Sequence, residues 1–92
     1  MTAGKAQVVM YATQWCGYCA RARRLLAEKG VAYTEIDVEA VDGAREEMRA
    51  RSGRTSVPQI FIGDQHLGGY DDTKALHDSG ELDRLLAAAT NA

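Results

Sequence analysis

Two cysteines are the only thiols among the 92 residues, and they stand three positions apart in the segment Cys16-Gly17-Tyr18-Cys19. A helix rises about 1.5 Å per residue, and residues three apart nearly overlap in projection. Their Cα atoms then lie roughly 5 Å apart, inside the usual disulfide range. Such a pair can close without large backbone movement. To attack a foreign disulfide, one thiol must ionise: with a pKa of about 8.5 it is only ~3% thiolate at neutral pH, and with one near 5 it is almost wholly thiolate. That shift takes roughly 4 kcal/mol of preferential stabilisation of the anion, and a helix N-terminus supplies about 0.3–2 kcal/mol. The remainder has to come from the N–H groups of Tyr18 and Cys19, which have no acceptor within a first helical turn, with a cationic side chain nearby as an optional further source. Cys16, at the expected helix start, is the candidate attacking thiolate, and Cys19 the resolving thiol. The competing readings are structural cysteines or zinc ligands, but no second Cys or His pair completes a zinc site. His66 and His77 stand alone and read as surface or capping residues.

The elements around the pair follow from periodicity. Residues 7 to 12, Gln-Val-Val-Met-Tyr-Ala, form a short apolar run expected to be a central strand buried on both faces. From Gly17 to Lys29 the period becomes helical, with Cys19, Ala22 and Leu26 on one stripe, Leu25 beside it and Gly30 as the stop. Val31 to Val38 alternates as a second strand, expected at a sheet edge, with Ala32, Thr34, Ile36 and Val38 on one side. Asp42 is the candidate cap of a helix over Ala44 to Ser52, ended by Gly53. Strand, helix, strand predicts a parallel pair with a right-handed crossover. Val57 to Ile62, the turn Gly63-Asp64 and Gln65 to Leu67 read as a hairpin. Asp71, Asp72 or Thr73 can cap a last helical region that Gly80 interrupts before Leu82, Leu85 and Leu86. Thr90 to Ala92 is expected to fray.

Composition narrows the function classes. Apolar residues make up 46% of the chain and charged residues 26%, which suits one small domain spanning 1–92 with a core over about 7–87. Eleven Lys and Arg against thirteen Asp and Glu leave a net charge of −2, which argues against nucleic-acid binding. No apolar run approaches the roughly 18 residues that span a bilayer, and the first fifteen residues lack a long apolar signal segment. The expected location is the cytoplasm, with no membrane partner.

Four separated segments, Cys16-Gly17-Tyr18-Cys19, Arg51-Ser52-Gly53-Arg54-Thr55, Ser56-Val57-Pro58-Gln59-Ile60-Phe61-Ile62 and Gly68-Gly69-Tyr70-Asp71-Asp72, together resemble the glutaredoxin family. The likeness is greatest to its small bacterial dithiol members of the third type. Thioredoxins share Trp15-Cys16-Gly17 but lack the Gly-Gly-Tyr-Asp-Asp segment. The resemblance implies an α/β, thioredoxin-like fold: a four-stranded mixed sheet in the order 2-1-3-4, flanked by helices. It implies a glutathione-dependent oxidoreductase acting on glutathione mixed disulfides and protein disulfides, with glutathione as cosubstrate and Cys16 and Cys19 as catalytic residues. It implies a cis Pro58 beside the active-site loop and a glutathione site built from Tyr18, Arg45, Ser56, Val57, Pro58, Gly69, Tyr70, Asp71 and Asp72. In that site Val57 pairs with the tripeptide's cysteine, Asp71 and Asp72 meet its γ-glutamyl end, and Arg45 reaches its glycyl carboxylate. Ribonucleotide reductase is a client by analogy with relatives.

Three positions depart from the family pattern. Thr13 stands where many members have Lys, with Arg45 or Arg54 able to compensate; Gly17 stands where many have Pro; and Tyr70 replaces a cysteine found in some. Gly17 also supports the alternative that the resemblance carries, a [2Fe-2S] cluster held between two monomers by Cys16 of each and two glutathione thiolates. A monomer is the expected state otherwise.

Overall fold

β1 (Val8–Ala12) forms where the sequence runs apolar without interruption, and its position explains why: it pairs on both sides and four of its five residues are buried. The structure, a computed structural model, describes residues 7–90. α1 (Gly17–Glu28) buries Cys19, Ala22 and Leu26, the predicted stripe, and Leu25 beside it, and Gly30 just past its end has a φ of 67°, a left-handed position that a glycine occupies at no steric cost. β2 (Thr34–Asp37) lies parallel to β1 at one edge of the sheet. It is shorter than the eight residues expected. Its alternation serves both faces rather than one, for Ile36 and Val38 pack on one layer while Val31 and Tyr33 pack on the other, and Ala32 and Thr34 are exposed.

α2 (Ala44–Ser52) has the predicted limits, but its N-cap is Gly43 at φ 79°, and no side chain caps it. Asp42 is therefore not the cap. β3 (Gln59–Ile62) pairs antiparallel with β1 and with β4 (Gln65–Gly68), giving the sheet order β2-β1-β3-β4. β3 starts at Gln59 rather than Val57, since Pro58 has no N–H to give to a ladder. α3 (Tyr70–Ser79) and α4 (Glu81–Thr90) are separate helices that meet at Gly80, φ 85°. The N-cap of α3 is Gly69, and Asp72 serves it from within the first turn by accepting the Gly69 N–H at 3.0 Å. α4 runs to Thr90, and the rest of the expected frayed end lies outside the described residues.

The sheet separates two apolar layers. Val8, Met10, Ala12, Ile60 and Ile62 face α1 and α4, meeting Cys19, Leu26, Leu82 and Leu86; Tyr11, Phe61 and Val38 face Ala44 and Met48 of α2. Helices thus cover both faces, as the sequence led us to expect. Within the second layer Tyr11 and Phe61 meet edge to face with centroids 5.7 Å apart, and the Arg51 guanidinium lies 4.1 Å from the Phe61 centroid. Among the described residues, no helix is long and apolar enough to cross a membrane.

Candidate active site

The turn from β1 into α1 makes Cys16 the N-cap of that helix. Its backbone is extended, at φ −95° and ψ 124°, and its Sγ accepts the Cys19 N–H at 3.3 Å. This is the anion-receiving geometry expected of a helix N-terminus. Partial burial raises the Cys16 thiol, but a hydrogen bond from the Cys19 thiol, the N–H groups of Cys19 and Tyr18, and the charge of Arg23 outweigh it, so the thiol is held below its ordinary value. In its protonated form Cys16 Sγ also donates to the Val57 carbonyl at 3.7 Å, a contact that ionisation removes. Cys19 is fully buried, and burial pushes its thiol up to about 11, with proximity to Cys16 adding to the rise. The two thiols are thus poised in opposite directions, as nucleophile and resolver require.

The cation that the sequence reading allowed for is Arg23, which lies one turn beyond Cys19 on the same face of α1. Its guanidinium forks onto the Glu35 carboxylate of β2, with Nε 3.0 Å from both oxygens and Nη2 2.7 Å from Oε2, and Nη2 also donates to the Thr13 carbonyl at 2.9 Å. The arginine therefore ties the active-site loop to the sheet edge. Its spacing of seven from Cys16 was the available signal; its partner on another strand was not legible.

A groove of about 290 Å³ opens beside this turn. Tyr18 of α1, the loop Ser56-Val57-Pro58 and the α3 start Gly69-Tyr70-Asp71-Asp72 all line it, together with Arg54. The Val57–Pro58 bond is cis. The tyrosines Tyr18 and Tyr70 lie with ring centroids 6.4 Å apart, and the Tyr18 ring is more than half exposed. Arg45 is not among the lining residues: it sits 3.8 Å from Glu39 at the start of α2. Arg54 takes the basic place instead, with Nη1 2.8 Å from Asp72 Oδ2. That contact, with the Gly69 N–H, holds the Asp72 carboxyl below the ordinary carboxylate range.

Three supports of the groove escaped the sequence reading. Gln59 is fully buried and fully used: Nε2 donates to the Ser56 carbonyl at 3.0 Å, while Oε1 lies 2.7 Å from His66 Nε2. His66 is thus a strut rather than a surface residue, stacked on Phe61 at 4.8 Å and held neutral mainly by burial. Gly68, at φ 110°, leaves room for Asp72, since a Cβ there would overlap its carboxylate.

Comparison with known proteins places these features in a lineage. Residues 8–67 match the glutaredoxin family model. The chain is 49% identical over 81 residues to a glutaredoxin of Pseudomonas aeruginosa, covering 88% of this chain and 96% of that one. It is 52% identical over 81 residues to glutaredoxin 3 of Escherichia coli, covering 88% and 98%. The crystal structure of a buckwheat glutaredoxin–glutathione complex superposes with a TM-score of 0.85 at 28% identity, covering 94% of this chain and 81% of that one.

Proposed function

This chain belongs to the glutaredoxin family of thiol–disulfide oxidoreductases, and from that premise we propose that it reduces glutathione mixed disulfides and protein disulfides at Cys16, with glutathione as cosubstrate. The observation that carries the reading is a thiol lowered below its ordinary value, 3.7 Å from the Val57 carbonyl at the mouth of a groove with a polar end at Asp71 and Asp72. The similarity to a glutaredoxin solved with glutathione supports the tripeptide as occupant.

The Cys16 thiolate attacks the glutathionyl sulfur of the mixed disulfide, the S–S bond breaks, and the departing thiolate takes a proton from water. Glutathione remains bonded to Cys16, its peptide edge against Val57, its α-amino group toward Asp72 and its γ-glutamyl carboxylate toward the free N–H groups at the start of α3. A second glutathione thiolate attacks the bound glutathionyl sulfur, releasing glutathione disulfide and restoring Cys16. On a protein disulfide the same attack leaves the client bonded to Cys16. With Cys16 no longer anionic, one cause of the raised Cys19 thiol disappears; Cys19 ionises, attacks Cys16 Sγ and expels the client dithiol. Two glutathiones then reduce the Cys16–Cys19 disulfide. The reading extends to residues 1–92 as one cytoplasmic, monomeric domain whose clients include, by analogy, ribonucleotide reductase.

The experiment compares two variants on both substrate types. Cys19→Ser keeps most activity toward a glutathione mixed disulfide and loses the dithiol route, while Cys16→Ser loses both by at least about 10³-fold. Equal activity of Cys16→Ser and the parent sinks the assignment of nucleophile.

A shared [2Fe-2S] cluster is the competing reading, and one feature favours it: nothing lies within 4 Å of a Cβ built on Gly17, so the surface beside Cys16 is left open. Among the described residues no group of three His, Cys, Asp or Glu could hold a metal ion, so a single chain does not supply a ligand set. Visible absorbance after anaerobic reconstitution with iron, sulfide and glutathione, lost in Cys16→Ser, is the outcome that reading requires.

A further inference from the structure

A second groove, of about 320 Å³, lies between α1 and α3 and shares a wall, Tyr70, with the first. Arg21, Arg24 and Lys74 line it against the single carboxylate of Glu28. The chain as a whole carries a net charge of −2, so this concentration of cations runs against its average. Among the described residues the exposed Arg24 makes no ion pair, whereas Lys74 pairs with the exposed Asp78 one turn on, at 3.1 Å. The Arg21 guanidinium lies 5.3 Å from the centroid of the Tyr18 ring, which joins the cationic surface to the rim of the first groove. His77 also lines the second groove, although its Nδ1 is itself buried and has no hydrogen-bond partner among the described residues.

We propose that this groove docks an acidic stretch of a polypeptide client, next to the client cysteine that reacts at Cys16. The proposal rests on the thiol–disulfide reading above and names its partner. Along α1, Arg21 and Arg24 lie five and eight residues past Cys16, or about 7.5 and 12 Å along the axis. An extended client advances about 3.3 Å per residue, so carboxylates two to four residues from its reactive cysteine meet these side chains. Because Tyr70 is common to both grooves, the glutathionyl part and the flanking chain of one substrate can be held at once. The charges steer encounter and select the client, and the bond exchange itself stays at Cys16.

The test uses glutathionylated nonapeptides carrying either Glu or Lys two to four residues from the cysteine, beside the small mixed disulfide of glutathione and 2-mercaptoethanol. The parent is expected to favour the Glu peptide in kcat/KM by about tenfold in low salt, most of it in KM, with the ratio collapsing toward one at 0.5 M NaCl. The double variant Arg24→Glu, Lys74→Gln is expected to abolish or invert that ratio while reducing the small disulfide within about twofold of the parent. Equal rates on the two peptides in the parent overturn the proposal, as does a preference that survives in the double variant. Displacement of a labelled Cys→Ser Glu peptide by reduced glutathione at micromolar concentration also overturns it, because the groove is then a second tripeptide site. A parent inactive on the small disulfide removes the glutathione reading instead, and direct binding of the Cys→Ser peptides still decides the docking surface.

Discussion

At the scale of single residues, the separation between the two sulfurs is the property that matters, and it is measurable. Alkylation followed against pH, with the modified peptide identified by mass, is expected to show Cys16 titrating below a free cysteine and Cys19 unreactive until pH approaches about 11. Arg23→Gln removes the cation that favours both anions and releases the Thr13 carbonyl. It is expected to raise the Cys16 midpoint, and Arg23→Lys to restore it. Since Arg23 and Glu35 are each about 30% exposed, the accompanying loss of stability should be no more than about 1 kcal/mol, read from urea unfolding. An unchanged midpoint in Arg23→Gln would leave the helix N-terminus and the local N–H groups as the whole cause. The cysteines announced their chemistry in the sequence because it depends on spacing of three along one helix. Arg23 did not, because its role depends on where β2 brings Glu35.

At the scale of elements, two glycines near the site make opposite demands. Gly17 is the first residue of α1, the preceding Cys16 already has the extended backbone that a following proline imposes, and the space around a Cβ is open. Gly17→Pro is therefore expected to stabilise the protein by about 0.4–1 kcal/mol through the unfolded chain, measured by urea denaturation, without raising the Cys16 alkylation midpoint. A destabilised variant would mean that the Gly17 N–H has a use. Gly68 is the reverse case: its φ of 110° and the nearness of Asp72 leave no room for a side chain. Gly68→Ala should cost about 1–3 kcal/mol and raise the KM for glutathione, because the displaced carboxylate also caps α3 and pairs with Arg54. The limits of β1 and α1, which flank Cys16, were read from periodicity to within a residue, whereas β2 and β3 came out shorter than their apolar runs. The cap of α2 was assigned to Asp42 and that of α3 to Asp71, Asp72 or Thr73, whereas glycines hold both N-cap positions, Gly43 because the chain must enter α2 in a left-handed conformation.

For the whole molecule, the opposed thiols give stability an opposite dependence on pH in two windows. Cys16, lowered in the fold, adds stability that appears as pH rises from its native value to the unfolded value near 8.5, and loses it as pH falls through the native value. Cys19, raised to about 11, stays neutral in the fold while the unfolded thiol ionises, so stability falls between about pH 8.5 and 11. The reduced protein should thus be most stable near pH 8 to 9 relative to its Cys16–Cys19 oxidised form, which lacks both groups and cancels the contribution of Tyr11 and Tyr33. A difference between the two forms that does not vary with pH in denaturant titrations would contradict the assignment. The sequence alone determined the order of the elements, the central strand, the helix carrying both cysteines and the segments that build the groove, because each depends on periodicity or on residue types within a few positions. The tertiary structure decided which charges meet: Arg23 with Glu35, Arg54 rather than Arg45 at the groove, and His66 with Gln59 beneath it. Such partnerships join residues 7 to 18 positions apart on different elements, and their geometry is set by how the elements pack on the sheet, information that no local pattern of side chains contains.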